Sequence, residues 1–213
     1  MIRLEQLDVV FDKTVALDHV DVRIDPGLVG LFGPNGSGKS TLLRVLAGRL
    51  APTAGTALID GRPCHPADEE LRARLGYSGH ETGLYPNLTV EENLDLFALV
   101  TGAEKSRVGH VMTDLDLADR AGVRVRSLSA GQKRRASVAR ALVGDPDVLL
   151  LDEPYANVDD DAAAIITRAI VSWWGPGRVG VVATHGAKRV KPYASASLVL
   201  RRGSLAAYRS AEP

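Results

Sequence analysis

The stretch that decides the fold is "GPNGSGKST", Gly33 to Thr41, which fits the pattern G-x-x-x-x-G-K-[ST]. It follows the buried apolar run "LVGLF" and precedes a helix predicted over Lys39 to Arg49. Such a loop presents backbone N–H groups and the positive end of a helix to a phosphate. We predict that Lys39 reaches the β- and γ-phosphates and that the Ser40 hydroxyl holds Mg²⁺. A glycine-rich turn with a chance lysine is the alternative, which the strand and helix context disfavours.

The composition indicates one sizeable α/β domain without a charge excess. The chain has 213 residues, of which 45% are hydrophobic and 24% charged, with 26 basic and 26 acidic side chains. We therefore expect no nucleic-acid partner. The single cysteine, Cys64, indicates a reducing compartment. We expect no signal peptide and no membrane-spanning segment, because no apolar run approaches about 18 residues. A membrane role would need a partner protein.

Strand and helix patterns alternate on both sides of a helical segment. Strands are predicted in "IRLEQLDVVF", "HVDVRI", "LVGLF" and "TALIDGRP", the last with a turn at Asp60 and Gly61. After the helical segment come a helix over Ala130 to Val143, the strand "VLLLD", a helix over Asp160 to Trp174, the strand "VGVVATH" and the hairpin "SLVLRRGSLAAY". This order predicts an α/β fold with a parallel core sheet.

The helical segment is predicted to form a subdomain inside the core. Thr89 and Glu92 form a capping-box pattern that opens the helix "VEENLDLFALV", and "SRVGHVMTDLDLADRA" is a second helical segment. We expect residues 1–70 and 128–213 to form the catalytic core, and about 71–127 the helical subdomain, of one domain over 1–213.

Two acidic residues follow the predicted buried strand in "VLLLDEP". Asp152 would lie at the strand end, where open α/β sheets bind ligands, and is predicted to order the Mg²⁺ water shell. Glu153 is then free to act on the attacking water as a general base. The alternative is a solvated Asp–Glu pair at a strand end.

A second anion site is predicted in "SLSAGQKRRASVARAL". Ser129 and Gln132 form a capping-box pattern, and Gly131 leaves the helix N-terminus open to an anion. The basic residues Lys133, Arg134 and Arg135 would by themselves indicate a solvated helix face. The glycine at the cap favours the anion site.

The stretch "LSAGQ" resembles the signature motif of the ATP-binding-cassette (ABC) ATPases, usually written LSGGQ, with Ala130 in place of the first glycine. "GPNGSGKST", "VLLLDEP", "ANVD" and "ATH" complete the ordered set, so the resemblance covers essentially the whole chain. It implies a P-loop fold of ABC type with an N-terminal antiparallel β part, a mostly parallel RecA-like core sheet and a helical subdomain. It also implies an ATPase that uses ATP and Mg²⁺ to drive transport.

The resemblance assigns roles to single residues. Phe11 falls at the position of an aromatic that stacks on adenine, with an ordinary core phenylalanine as the alternative. Asp159 matches the loop that crosses between two ATPase subunits, and His185 the switch histidine that holds the γ-phosphate and the attacking water. Catalysis is assigned to Glu153, His185 and Lys39. The remaining ATP contacts are assigned to the two loop motifs: Gly33, Pro34, Asn35, Gly36, Ser37, Gly38, Lys39, Ser40, Thr41, Ser129, Ala130, Gly131 and Gln132.

The resemblance also implies partners. In this family the signature helix faces the nucleotide of the opposite subunit, so a second ATPase subunit is expected, either the same chain or a related one. A multi-span membrane permease is the other expected partner, which would place the chain at the cytoplasmic face of a membrane.

Within the family, the short length, "LSAGQ" and the "GH" of "YSGHETGLYPNLTVEEN" resemble the haem exporter ATPases of cytochrome c biogenesis, the CcmA type. His80 then occupies the position of a glutamine that senses Mg²⁺ and the membrane partner. An imidazole nitrogen suits Mg²⁺ poorly, so His80 is expected to act through water or through the position of its loop. A loop histidine without contact to nucleotide is the alternative.

Other functions remain open at this stage. A single-cassette ABC ATPase that acts in an assembly process, such as iron–sulfur cluster assembly, is the alternative to transport. A GTPase switch is disfavoured because no N-K-x-D motif follows the phosphate loop. Cys64 and His65 in "RPCHP" are adjacent and have no further ligand at a suitable spacing, so we predict a surface turn there and no metal site.

Overall fold

The computed structural model describes residues 1–210 as two β-sheets and a set of helices. The last three residues of the predicted core segment 128–213 lie outside this range. The strands are β1 (Ile2–Phe11), β2 (Thr14–Ile24), β3 (Gly27–Phe32), β4 (Ala54–Ile59), β5 (Arg62–Pro63), β6 (Leu75–Ser78), β7 (Val148–Asp152), β8 (Val179–Ala183), β9 (Ala196–Arg201) and β10 (Ser204–Ser210). The helices are α1 (Lys39–Leu46), α2 (Glu69–Ala73), α3 (Val90–Thr101), α4 (Ser106–Asp114), α5 (Ala130–Leu142), α6 (Asp160–Trp173) and α7 (Ala187–Val190).

The N-terminal sheet is antiparallel, in the order β2-β1-β4-β5. Its strands alternate between buried and exposed side chains, because one face covers the core and the other meets solvent. Strand β4 turns into β5 at Asp60 and Gly61, which both have positive φ angles, 50° and 80°. The turn predicted at these two residues is confirmed.

The second sheet has the order β10-β9-β3-β8-β7-β6, and all its pairs are parallel except β9 with β10. Strands β7 and β8 are buried at every position, as expected for a sheet covered on both faces. Because β3, β7 and β8 are parallel neighbours, their carboxyl ends meet at one edge. The chain that follows each of them, after Phe32, Asp152 and Ala183, is therefore brought together there.

The hydrophobic core lies on both faces of this parallel sheet. Val148 and Leu150 of β7 pack into a cluster with the antiparallel sheet and α1. Leu149 and Leu151, which point the other way, pack with α3, α4, α5 and α6. The predicted architecture, with an antiparallel β part, a mostly parallel core sheet and helices, is confirmed.

The region predicted to be helical from about residue 71 also contains a core strand. Strand β6 pairs in parallel with β7 at the edge of the core sheet. A four-residue strand such as "LGYS" has too few residues to show an alternating pattern. Gly76 lets this strand lie against α5, since a Cβ there would come within 2.2 Å of the Ala141 carbonyl oxygen.

The helices differ from the predictions mainly at their ends. Thr89 and Glu92 form the predicted capping box of α3. The second predicted segment gives the shorter α4 and a 3₁₀ turn at Ala118–Arg120, separated by Asp116 with a φ of 52°, which an α-helix cannot contain. Helix α1 ends three residues early, before Gly48 with a φ of 61°. Among residues 1–210, no helix has the length and apolar character needed to cross a membrane.

Candidate functional site

The loop between β3 and α1 has a backbone that only glycine allows at two positions. Gly33 and Gly38 have φ angles of 151° and 102°. A Cβ on Gly33 would lie 2.3 Å from the Leu200 carbonyl oxygen, and one on Gly38 would lie 2.6 Å from that of Ala16. The loop is therefore held between two other strands, with the N-terminus of α1 at its end. This is the geometry that binds a phosphate through main-chain N–H groups.

Lys39, the first residue of α1, is buried under this loop, with 5% of its surface exposed. Its Nζ donates hydrogen bonds to the carbonyl oxygens of Gly33, at 2.8 Å, and Pro34, at 3.1 Å. The ammonium group is thus held inside the curve of the loop. A buried cation there gives the site positive charge close to the loop N–H groups.

Two acidic residues end strand β7 beside the phosphate-type loop. Asp152 pairs with Ala183 of β8, and only 2% of its surface is exposed. Within residues 1–210 its carboxylate accepts no hydrogen bond, so its oxygens are free for a ligand. Glu153 follows with a φ of 48°, which is uncommon for a residue other than glycine. Its N–H donates to the Ala183 carbonyl oxygen at 2.8 Å, which holds this conformation.

Glu153 lies next to His185, which follows strand β8. The His185 Nε2 lies 3.1 Å from Glu153 Oε1, and the His185 main-chain N–H donates to Oε2 at 3.3 Å. Oε1 is buried and accepts no hydrogen bond from the described part of the chain. The register of β7 and β8 produces this pair, because each residue comes just after a strand end of two parallel neighbours.

These groups share one pocket of about 500 Å³. It is lined by most of the residues that the sequence predicted for the site, namely Phe11, Asn35, Gly36, Ser37, Gly38, Lys39, Ser40, Thr41, His80, Asp152, Glu153 and His185. The structure thus brings four separate motifs together. The predicted residues outside this lining are Gly33, Pro34, Ser129, Ala130, Gly131, Gln132 and Asp159.

The end of strand β1 forms one wall of the pocket. Phe11 is 45% exposed, so the alternative of an ordinary core phenylalanine is wrong. Thr14, Val15 and Ala16 also line the pocket, although the sequence analysis did not name them. Only two residues separate β1 from β2, so the chain reverses in a tight turn. This short connection is the sequence signal that places the start of β2, from Thr14 to Ala16, beside Phe11.

The signature segment lies outside the pocket with its N-terminus exposed. Ser129 and Gln132 form the predicted capping box of α5. The Gln132 main-chain N–H donates to Ser129 Oγ at 3.2 Å, and the Ser129 main-chain N–H donates to Gln132 Oε1 at 2.9 Å. Asp159 caps α6 in the same way, through the Ala162 N–H at 2.7 Å. Within one chain, these three side chains therefore stabilise helix ends.

The basic residues at the start of α5 do not form a solvated face, as their charge alone suggested. Arg134 is buried, with 7% of its surface exposed, and its guanidinium donates to the carbonyl oxygens of Gly79, at 3.0 Å, and His80, at 3.1 Å. Arg135 donates to the carbonyl oxygens of Leu115 and Asp116. These arginines are bound to loops of the helical part.

Cys64 and His65 do not converge on a metal. The Cys64 side chain is buried in the core, so the predicted surface turn is wrong for this residue, and burial raises its thiol pKa to about 12. The exposed His65 turns away, and its Nδ1 accepts a hydrogen bond from the Ala67 N–H at 3.1 Å.

The fold and the pocket define an ATP-binding cassette, and comparison with known proteins gives the same class. Residues 17–156 match the profile of the ABC transporter family. The chain is 34% identical over 190 residues to the Nod factor export ATP-binding protein I of Cupriavidus metallidurans, covering 87% of this chain and 63% of that protein. It is 36% identical over 176 residues to the cytochrome c biogenesis ATP-binding export protein CcmA of Pseudomonas fluorescens, covering 82% and 83%.

A solved structure matches over the full length of both chains. This is a dimeric structure of a bacterial ABC transporter cassette, with a TM-score of 0.92 and 25% identity. The chain spans about three fifths of the length of the Nod factor export relatives that it matches. The protein belongs to the ABC transporter family, as one of its ATP-binding cassettes.

Proposed function

We propose that this chain binds and hydrolyses ATP as the energy-coupling subunit of an ABC transporter, and that the transporter is an exporter. One observation carries the proposal: the Glu153–His185 pair lies in the same pocket as the glycine-rich loop and Lys39. A phosphate site beside a carboxylate that is free to accept a proton is what ATP hydrolysis requires.

Binding of the triphosphate is assigned to the loop from Gly33 to Thr41. Its N–H groups and the N-terminus of α1 would hold the phosphates, and the Lys39 ammonium would neutralise the β- and γ-phosphate oxygens. Phe11, at the exposed mouth of the pocket, would stack on the adenine ring.

Mg²⁺ fits the donors that the chain offers. The Ser40 hydroxyl and the buried Asp152 carboxylate, which accepts no hydrogen bond within residues 1–210, line the same pocket. Both are hard oxygen donors of the kind that Mg²⁺ prefers. When bound, the ion would neutralise charge on the β- and γ-phosphate oxygens.

The hydrolytic step is assigned to Glu153 and His185. Glu153 Oε1 would take a proton from a water molecule as its oxygen attacks the γ-phosphorus and the bond to the β–γ bridging oxygen breaks. His185, held against Glu153 by its main-chain N–H, would direct its imidazole at the γ-phosphate and the attacking water. His80, which lines the same pocket, would act through water or through the position of its loop.

A second cassette would complete the site. The signature N-terminus begins with the exposed Ser129 and Ala130 and continues with the half-buried Gly131 and Gln132, and all four lie outside the lining of the chain's own pocket, which leaves this helix end available to the nucleotide of another subunit. The matched solved cassette is dimeric. Asp159, at the exposed start of α6, would then lie in the loop that crosses between subunits.

The helical part is proposed as the contact with a membrane permease, so that the chain works at the cytoplasmic face of a membrane. We retain residues 1–70 and 128–213 as the core and about 71–127 as the helical subdomain, with one change. Strand β6 (Leu75–Ser78) falls within the second range but belongs to the core, because it pairs with β7. Leu99 and Val100 of α3 are 80% and 70% exposed, and Val100 lines a groove of about 490 Å³ together with Phe97 and Arg140. Adjacent exposed apolar side chains mark interaction surfaces.

Export rests on the two relatives, which are a Nod factor export protein and a cytochrome c biogenesis export protein. The narrower proposal, haem export in cytochrome c maturation, rests on the CcmA relative and on the "LSAGQ" and "GH" features. The cargo would bind in the permease.

The test is co-purification followed by reconstitution in vesicles. The chain is expressed with a candidate multi-span partner, and ATP turnover is compared with and without that partner. We expect a detergent-stable complex and faster hydrolysis, and Leu99→Glu should abolish complex formation. A soluble stoichiometric partner, with no stimulation by any permease, would instead support the assembly ATPase.

A further inference from the structure

We infer that Arg134 is a positioning residue, which holds the pocket wall formed by His80 in place through main-chain carbonyl groups. The inference rests on the proposed function, since it assigns a role within the proposed ATP site. It concerns the loop of residues 79–83, which joins β6 to the helical part.

This loop has no main-chain ladder of its own. Within this loop, no main-chain N–H of residues 80–83 donates a hydrogen bond to an acceptor in the described chain, and these residues form no helix or strand. The loop is bound through its carbonyl oxygens, and α5 supplies the donors. Backbone groups without a regular partner need such side-chain contacts to be held in one position.

Arg134 contributes two of these contacts. Its two terminal guanidinium nitrogens donate to consecutive carbonyl oxygens, of Gly79 and His80. A planar fork on two successive carbonyls fixes both the position and the orientation of that peptide segment. The His80 side chain, which projects from it, lines the ATP pocket.

Two further residues of α5 extend the contact along the chain. The Ser137 hydroxyl donates to the Thr82 carbonyl oxygen at 2.8 Å, and Arg140 donates to that of Tyr77 at 2.6 Å. The three donors lie at successive turns of α5, and their acceptors all fall between Tyr77 in β6 and Thr82 in the loop. These hydrogen bonds fix the position of residues 77–82 relative to α5.

The placement of Arg134 is costly unless it has a use. Burial lowers its pKa, while the negative charges of Asp152 and Glu153 oppose that effect. Among the described residues, no carboxylate forms an ion pair with it. The Arg134 guanidinium is buried and is held by two carbonyl groups and by the more distant charges of Asp152 and Glu153. Such a group is suited to set the position of a pocket wall.

The experiment compares Arg134→Met with Arg135→Met in the full chain. Arg135 is the adjacent residue on α5 and has the same charge, but it donates to the carbonyl oxygens of Leu115 and Asp116, in another loop, and also forms an ion pair with the Asp116 carboxylate at 2.8 Å. The first readout is the imidazole ¹H–¹³C NMR signal of His80, assigned by its loss in His80→Gln. The other four histidines report on the rest of the fold.

We expect the His80 signal to shift in Arg134→Met and to stay in place in Arg135→Met. Turnover should fall about tenfold in Arg134→Met, while the Kd for ATP changes by less than about twofold, because the phosphate loop is untouched. Arg134→Lys, which reaches one carbonyl at most, should be intermediate, and it serves if the Met variant does not fold. An unmoved His80 signal, or equal effects from both arginines, would overturn the inference. The NMR readout is independent of hydrolysis, so an inactive wild-type chain would count against the proposed function only.

Discussion

Glu153 and His185 contact each other at two points, with Nε2 3.1 Å from Oε1 and the main-chain N–H 3.3 Å from Oε2. The main-chain contact fixes one carboxylate oxygen, and the other faces the His185 imidazole at 3.1 Å without an aligned hydrogen bond from any described residue. The carboxylate is therefore held in one orientation while Oε1 can still accept a proton, which suits a general base.

Replacing Glu153 with Gln should stop hydrolysis and preserve ATP binding. An amide of the same size cannot accept the proton, and the positive φ is equally demanding for Gln, so the backbone strain is matched. We expect turnover to fall about a hundredfold or more, and an ATP-bound dimer to accumulate in gel filtration. Glu81→Gln removes the same charge from an exposed position near the pocket and should leave turnover close to wild type. Wild-type turnover in Glu153→Gln would refute the base assignment.

Lys39→Ala should weaken nucleotide binding. Loss of a charge-assisted contact to phosphate costs about 1.5–3 kcal/mol, which corresponds to a rise of about tenfold or more in the Kd for ATP. Titration with a fluorescent ATP analogue would measure it. Lys105→Ala, at an exposed position before α4, is the control that should bind normally, and an unchanged Kd in Lys39→Ala would contradict the phosphate site.

Phe11→Ala should raise the Kd for ATP about fivefold to tenfold, because stacking on a base contributes about 1–3 kcal/mol and the site is half exposed. Phe11→Tyr keeps the ring and should restore binding. Tyr208→Ala removes an aromatic of similar exposure from β10, outside the pocket, and should have no effect. Equal affinities for Phe11→Ala and the wild type would exclude stacking.

Cys64 should resist alkylation in the folded protein. With a pKa raised to about 12 by burial, its thiolate fraction at pH 8 is about one in 10,000. N-ethylmaleimide should therefore label it only in denaturant, as mass spectrometry would show. Ser106→Cys adds a thiol at an exposed position and should take up one label without denaturant. Rapid labelling of native wild type would contradict the buried assignment.

The sequence predicted the fold class and most of the pocket because each motif is short, local and tied to a strand end. Asp152 and His185 follow buried apolar runs, and parallel neighbours bring their carboxyl ends to one edge whatever lies between them. Ser129 and Thr89 each show their capping partner three residues later.

What could not be predicted depends on contacts between distant segments. Arg134 has the composition of a surface residue, and only the return of residues 79–80 beside α5 buries it. Strand β6 is too short to show a pattern, and it is defined by its pairing with β7. Cys64 looks like a turn residue in sequence but packs in the core cluster that contains the antiparallel sheet and α1.

The 13 residues of helix α5 make two separate sets of contacts. Its first turn would serve the nucleotide of the neighbouring cassette, while Arg134, Ser137 and Arg140 hold a wall of the pocket in its own chain. In the proposed dimer, the N-terminal half of each α5 would lie between the two nucleotides, with its first turn toward one and Arg134 behind the pocket wall of the other. A rigid displacement of this helix would therefore alter both sites at once, with no need for any segment to unfold.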